Sequence, residues 1–354
     1  MSLPPAVLLE GAILGLNYGL LAVGLTLVYR TNRVVNFAQG QLGVVAAVFL
    51  VKLYYDFGLN YWFATACALV LAAAAGAGSE LVLRRLFKRP RVMVMVATIG
   101  LSQVLYLFTL LPFVRPRKLF RPFPLPVHVT FHIGSFLFST GQVLTLIVAP
   151  LVALGLAAFI RFSSWGLAMR AAAENSESAR LSGVWVRRTS TVAWTIAGGL
   201  SAVTAILASP GQTSALSQVL SPDLLLLALL AALIGGMVSL PVAFAAGIGV
   251  GVVLEALQWN LTNPSTGTAT IELILFLLLQ GALLVRAASL QKAGRTRERV
   301  PWSMGTGAFR PMGDVLRRRV GTSGVLTAVV IAAALPLVLD VQRDFLMSQI
   351  CIYA

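Results

Sequence analysis

Residues 140–160 form an apolar run without a single charged side chain, and eight more long apolar runs lie before residue 290. They cover 6–29, 34–55, 60–83, 92–114, 189–209, 224–240, 241–259 and a short 271–285. A helix crosses the ~30 Å hydrocarbon core of a bilayer in about 20 residues. Inside lipid every backbone polar group must find a partner, so only helices and closed barrels span it. Barrel strands are shorter and alternate apolar with polar residues. These runs do neither, so the pattern predicts a bundle of membrane-spanning helices.

Composition excludes the other classes. Hydrophobic residues make up 58% of the 354 and charged residues only 11%, with a mean hydropathy of +0.87. Soluble domains run at about 45–50% and about 25%. A chain this poor in charge cannot cover itself with a polar surface, and it is neither disordered nor a disulfide scaffold. The two cysteines, Cys67 and Cys351, sit in apolar stretches and read as small hydrophobes. The first ten residues carry no Lys or Arg, so no secretory n-region opens the sequence and the first run is expected to be retained.

The net charge of +15 reads as topology. Loops following runs one, three, five and nine hold 21 of the 27 Lys and Arg residues. The positive-inside bias makes that side cytoplasmic and puts the N-terminus outside. Nucleic acid is therefore not an expected partner, and membrane lipid is. Arg115, Arg117, Lys118 and Arg121 run against the bias, in a Pro-rich loop over 115–139.

Enzyme signatures are missing. No Gly-x-x-x-x-Gly-Lys-Ser/Thr occurs, so the chain has no P-loop of its own. His128 and His132 share an i, i+4 spacing but follow prolines with no acid nearby, and read as loop residues.

Four constellations carry the functional reading. Asn36, Gln39 and Gln41, with Gly40 and Gly43, open the second run. Buried amides are costly unless paired. They fit an interrupted helix start on a transport path, or equally an interfacial cap with Asn36 as the N-cap. Gly11, Gly15 and Gly19 line one helix face beside Asn17, and Gly247 and Gly251 repeat the device, as close helix packing requires. Residues 167–181 are helix formers without proline and end at Gly183, which predicts a short loop helix able to dock a soluble partner. Among the acids Glu10, Glu80, Asp223, Glu255 and Glu272, most fall near run ends, where they reach the interface. Glu255 is the deepest and the candidate for a pathway acid.

These motifs also carry a resemblance. Residues 17–29 (NYGLLAVGLTLVY) with 35–43 (VNFAQGQLG) resemble the permeases of branched-chain amino acid ABC transporters, and more narrowly their H-type subunit. Residues 160–175 (IRFSSWGLAMRAAAEN) with Ala179 and Gly183 are similar to that family's loop, and 231–241 (AALIGGMVSLP) with Gly247 and Glu255 to its late signature. The resemblance covers about residues 5–290 and implies an importer for leucine, isoleucine and valine. Urea and short-chain amide permeases share the pattern. It further implies two ATPase subunits, a second M-type permease and an extracytoplasmic binding protein, with ATP-Mg held by the ATPases and no cofactor on this chain. The segment bearing Arg170, Ala173, Glu174, Asn175, Ala179 and Gly183 becomes the ATPase-coupling helix. Its order, Ala-Ala-Glu-Asn with Gly183 nine residues after Glu174, departs from the Glu-Ala-Ala…Gly loop of general ABC importers. The substrate pathway is assigned to Asn17, Asn36, Gln39, Gly40, Gln41 and Glu255.

The expected organisation is therefore an all-α multi-pass permease over 1–290 in a bacterial cell membrane. A basic cytoplasmic linker follows at 291–322. The remaining run, 323–354, resembles the start of an M-type permease, as in a truncated H–M fusion.

Overall fold

The computed structural model describes residues 4–117, 123–126, 131–133, 136–211, 222–260 and 270–284. The chain divides into two compact units, Met1–Ala293 and Gly294–Ala354. The linker at 291–322 and the runs at 323–354, with Cys351, lie outside the described residues, as does His128.

Eleven helices form the described part: α1 (Pro5–Asn32), α2 (Gln39–Tyr55), α3 (Tyr61–Leu83), α4 (Arg91–Leu110), α5 (Thr140–Phe162), α6 (Ser164–Glu174), α7 (Ser176–Leu181), α8 (Val186–Ala208), α9 (Pro222–Ile234), α10 (Leu240–Asn260) and α11 (Thr270–Leu284). Each of the nine apolar runs has its helix. Six of these helices are long and apolar enough to cross a membrane. The runs at 34–55 and 224–240 differ from expectation: α2 begins five residues late at Gln39, and α9 ends at Ile234 after 13 residues. At 1.5 Å per residue α9 is about 20 Å long, short of a full span. A small hairpin, β1 (Phe131–Ile133, holding His132) against β2 (Phe136–Phe138), interrupts the loop expected at 115–139.

Helix α1 is the axis of the bundle, with almost every residue from Gly15 to Val28 buried. One of its faces lies on α10. A Cβ built on Gly15 would sit 2.6 Å from the Ile248 Cα, and one on Gly11 2.8 Å from the Val252 Cα. Reciprocally, Gly247 meets Gly19, and Gly251 meets Gly15. The two glycine faces read from the sequence are thus each other's partners, and backbones touch where side chains would separate them. Helix α3 uses the same device against α8, presenting Ala64, Ala68, Ala72 and Gly76 at four-residue intervals. The Gly76 position contacts the Trp194 carbonyl.

Helices α4 and α5 form the periphery. On α4, Val92, Val96, Ile99, Val104 and Leu107 point outward, while Thr98, Ser102 and Thr109 are buried. Their hydroxyls donate to carbonyls three residues back, at 2.6–2.7 Å, so they cross the apolar layer without open donors. Apolar outside and small polar inside is the arrangement lipid favours.

The two ends of the bundle differ in charge. At one end Arg33, Arg84, Arg161, Arg170 and Arg188 gather where α1, α3, α5, α6 and α8 meet. At the other, Lys52 and Asp56 of the α2 terminus pair at 3.8 Å, and the Asp56 carboxylate accepts from the Arg117 backbone N–H at 3.1 Å. Part of the anomalous basic loop is therefore tied to an acid.

Candidate functional site

The polypeptide turns back at the end of α1. Arg33 closes that helix in the left-handed region, φ 56°, with its N–H bonded to the Tyr29 carbonyl. Residues 33–38 then return into the bundle. Gln39, the first residue of α2, donates from Nε2 to the Leu21 carbonyl at 3.1 Å and lies against Gly24. Leu21 is 11 residues from the end of α1, or about 16 Å along its axis. Helix α2 therefore begins deep in the bundle. The start is irregular, and the N-cap is Ala38 where the sequence offers Asn36: Asn36 lies two residues earlier, its Oδ1 accepting from the Ala38 N–H at 3.1 Å. This start is not interfacial, because Asn36 and Gln39 are fully buried.

Among the described residues several side-chain atoms here have no hydrogen-bond partner: Asn36 Nδ2, Gln39 Oε1, Gln41 Oε1 and, on α1, Asn17 Oδ1. An unsatisfied buried polar group costs about 1–3 kcal/mol. Asn17 and Gly24 are seven residues apart and share one face of α1, the face turned to Gln39. Gly40 follows, with the first turn of α9 beyond it at Leu225. The structure thus brings Asn17, Asn36, Gln39, Gly40 and Gln41 to one region.

Glu255 is not part of it. Its Cβ approaches Gly11 on the opposite face of α1, near the other end of the bundle. There Glu10 also accepts from Gln142 Nε2 at 3.4 Å. The acid singled out as deepest is only partly buried, whereas Glu80, expected to reach the interface, is 1% exposed. Glu80 centres a network that the sequence reading missed. Its Oε2 accepts from Arg84 Nη2 at 2.6 Å and Thr191 Oγ1 at 3.1 Å, and its Oε1 accepts from Arg84 Nε and Ser190 Oγ, both at 3.1 Å. Asn32 joins through Ser190, and its Oδ1 accepts from Trp194 Nε1 at 3.2 Å. This network ties α1, α3 and α8 together at the basic end. Only the i, i+4 spacing of Glu80 and Arg84 signals it in sequence. Thr26, buried on the far face of α1 with its hydroxyl unpartnered, was also missed.

The loop helix expected over 167–181 is two helices. Ser163 opens α6 by accepting from the Gly166 N–H. Asn175 breaks the run with extended backbone, and its Oδ1 accepts from the N–H groups of Glu177 and Ser178 at 3.0 and 3.1 Å. Asparagine competes with helix through such local bonds. Gly183, φ 82°, ends α7, with the Val184 N–H bonded to the Ala179 carbonyl. Met169, Ala172 and Ala179 are buried, while Arg170, Glu174 and Asn175 are exposed. Leu181 is 90% exposed and Trp185 68%. Arg33 Nη2 donates to the Ala173 carbonyl at 2.8 Å, in the last turn of α6. A cation suits that carbonyl-rich end. The connection between α1 and α2 is thus fastened directly to α6. Asn175→Ala removes the α7 cap and should destabilise that helix by about 1 kcal/mol. Faster hydrogen exchange over residues 176–181 with an unchanged bundle is the expected result.

A family described as the permease component of the branched-chain amino acid transport system matches residues 7–288. The chain belongs to this permease family. Curated relatives agree. A probable branched-chain amino acid transport permease protein LivH from Methanocaldococcus jannaschii is 28% identical over 79% of this chain and 90% of its own. The high-affinity permease protein LivH of Escherichia coli K12 is 28% identical over 76% and 91%. The corresponding BraD of Pseudomonas aeruginosa is 30% identical over 69% and 83%. No solved structure matches. The chain is a multi-pass membrane permease, helical but for one small hairpin among the described residues, and the matched region takes in the irregular α2 start, α6–α7 and the α1–α10 glycine contact.

Proposed function

We propose that this permease is the H-type subunit of an ATP-driven importer of leucine, isoleucine and valine, working by alternating access. The observation that supports a pathway is the start of α2: buried amides with unpartnered atoms, deep between helices, where unwound backbone is tolerated only inside protein or along a path. The basic end is cytoplasmic and the N-terminus outside, from the distribution of Arg and Lys. Two ATPase subunits bind ATP-Mg and dock at α6–α7, where Leu181 and Trp185 stand out as apolar anchors and Arg170, Glu174 and Asn175 face solvent. A second, M-type permease completes the membrane pathway, and an extracytoplasmic binding protein delivers substrate. The position of Glu255, away from the amides, gives no support to a proton-coupled mechanism.

The test is radiolabelled leucine uptake in cells lacking this chain and complemented with it. Uptake should depend on the chain and on its ATPase partners. Unchanged leucine uptake together with lost urea or short-amide uptake would overturn the substrate assignment. Uptake that persists without any ATPase would overturn the mechanism.

A further inference from the structure

The first turn of α2 starts without a side-chain cap and inside the bundle. Its N-cap is Ala38, which has no side chain to accept from the helix, and no acid lies in the turn. Helices α1, α4 and α8 likewise lack a side-chain cap, whereas α3 is capped by Asn60, α5 by Ser139 and α7 by Asn175. The Ala38 N–H is taken by Asn36 Oδ1, and the Gln39 N–H by the Asn36 carbonyl at 3.3 Å. The next two N–H groups, of Gly40 and Gln41, have no backbone acceptor among the described residues. Beside them Asn36, fully buried, holds an unpartnered Nδ2 donor. Gly40 adds no side chain, and a Cβ built there would meet nothing closer than Leu225 Cβ at 3.9 Å.

Unpaired N–H groups and the positive end of a 17-residue helix favour an anion. Burial strengthens that preference, because no water screens it. No Lys or Arg lies in residues 34–51, so what this segment itself offers an anion is dipoles and neutral donors. Such a site can release its ligand more readily than an ion pair would. A neutral ligand would leave the helix end uncompensated.

We infer that the start of α2 binds the carboxylate of the transported amino acid, through the Gly40 and Gln41 N–H groups and Asn36 Nδ2. This rests on the amino-acid reading above, since urea carries no carboxylate. It makes the carboxylate, rather than the side chain, the group recognised at this depth.

Saturation-transfer NMR on the detergent-purified assembled complex, without binding protein, tests it with leucine as the probe. Leucinamide, which keeps the side chain and ammonium but has no carboxylate, is the competitor. Leucine should give a signal that leucinamide does not displace. Asn36→Asp keeps an oxygen to cap Ala38 but replaces the donor with negative charge. It should weaken leucine binding by about tenfold or more. Should Asn36→Asp misfold, Gln41→Glu decides. An acid in the first turn favours the helix, yet it should repel the carboxylate and weaken leucine by a similar factor at unchanged or raised melting temperature. Displacement by leucinamide as effective as by leucine, or wild-type affinity in folded Asn36→Asp or Gln41→Glu, would overturn the inference. A wild-type complex that imports urea and not leucine would instead bring down the amino-acid reading, and the inference with it.

Discussion

Replacing Gly15 with leucine is expected to abolish accumulation of folded permease in the membrane. A Cβ alone would lie 2.6 Å from the Ile248 Cα and 2.7 Å from the Gly247 carbonyl oxygen, both backbone atoms that cannot step aside. Overpacking a well-filled core by small additions costs about 1–3 kcal/mol. A leucine must push α1 and α10 apart and forfeit the contact along the whole glycine face. In lipid no hydrophobic gain between helices compensates, because close packing is itself what holds them. Gly100→Leu is the control: that glycine is exposed on α4 with nothing within 4 Å of a built Cβ. It should express and elute from size exclusion like the unaltered protein. Monodisperse Gly15→Leu at wild-type yield would refute the glycine contact.

Glu80→Ala should lower the stability of the bundle by about 2–3 kcal/mol. Breaking a buried ion pair by removing one partner costs about 3–5 kcal/mol. Arg84 is 35% exposed and can turn to water, so part of that cost is avoided. What remains is the loss of acceptors for Ser190 and Thr191 and of the tie between α3 and α8. Glu80→Gln keeps one acceptor oxygen and should lose about half as much. The measurement is thermal unfolding of the purified protein in detergent. A melting point for Glu80→Ala equal to that of the unaltered chain would show that the network contributes nothing.

The helices were legible because hydrophobic run length is a local property. Nine runs became nine helices, with the fifth starting at the Ser139–Gln142 capping box and α7 ending at Gly183. The buried amides of α2 were legible in type, since amides in an apolar run violate the local pattern. Glu255 was drawn into the same group by depth along its own run alone. Depth says nothing about direction, and α10 turns that residue to the Gly11 face. The split at Asn175 was hidden because helix propensity averages over a window, while the break comes from one side chain bonding two backbone N–H groups.

The sequence by itself determined a lipid-embedded helix bundle: too little charge to face water, enough apolar length to span, and most basic loops on one side. It also marked the residues out of place in lipid. Only the tertiary structure decided which of them meet. Gln39 reaches Leu21 because the polypeptide turns back through residues 33–38, and Glu80 is buried because α8 supplies Ser190 and Thr191. Those partners lie 18 and more than 100 residues away in the chain. Their pairing depends on how helices cross and rotate, which side-chain packing sets after the helices have formed.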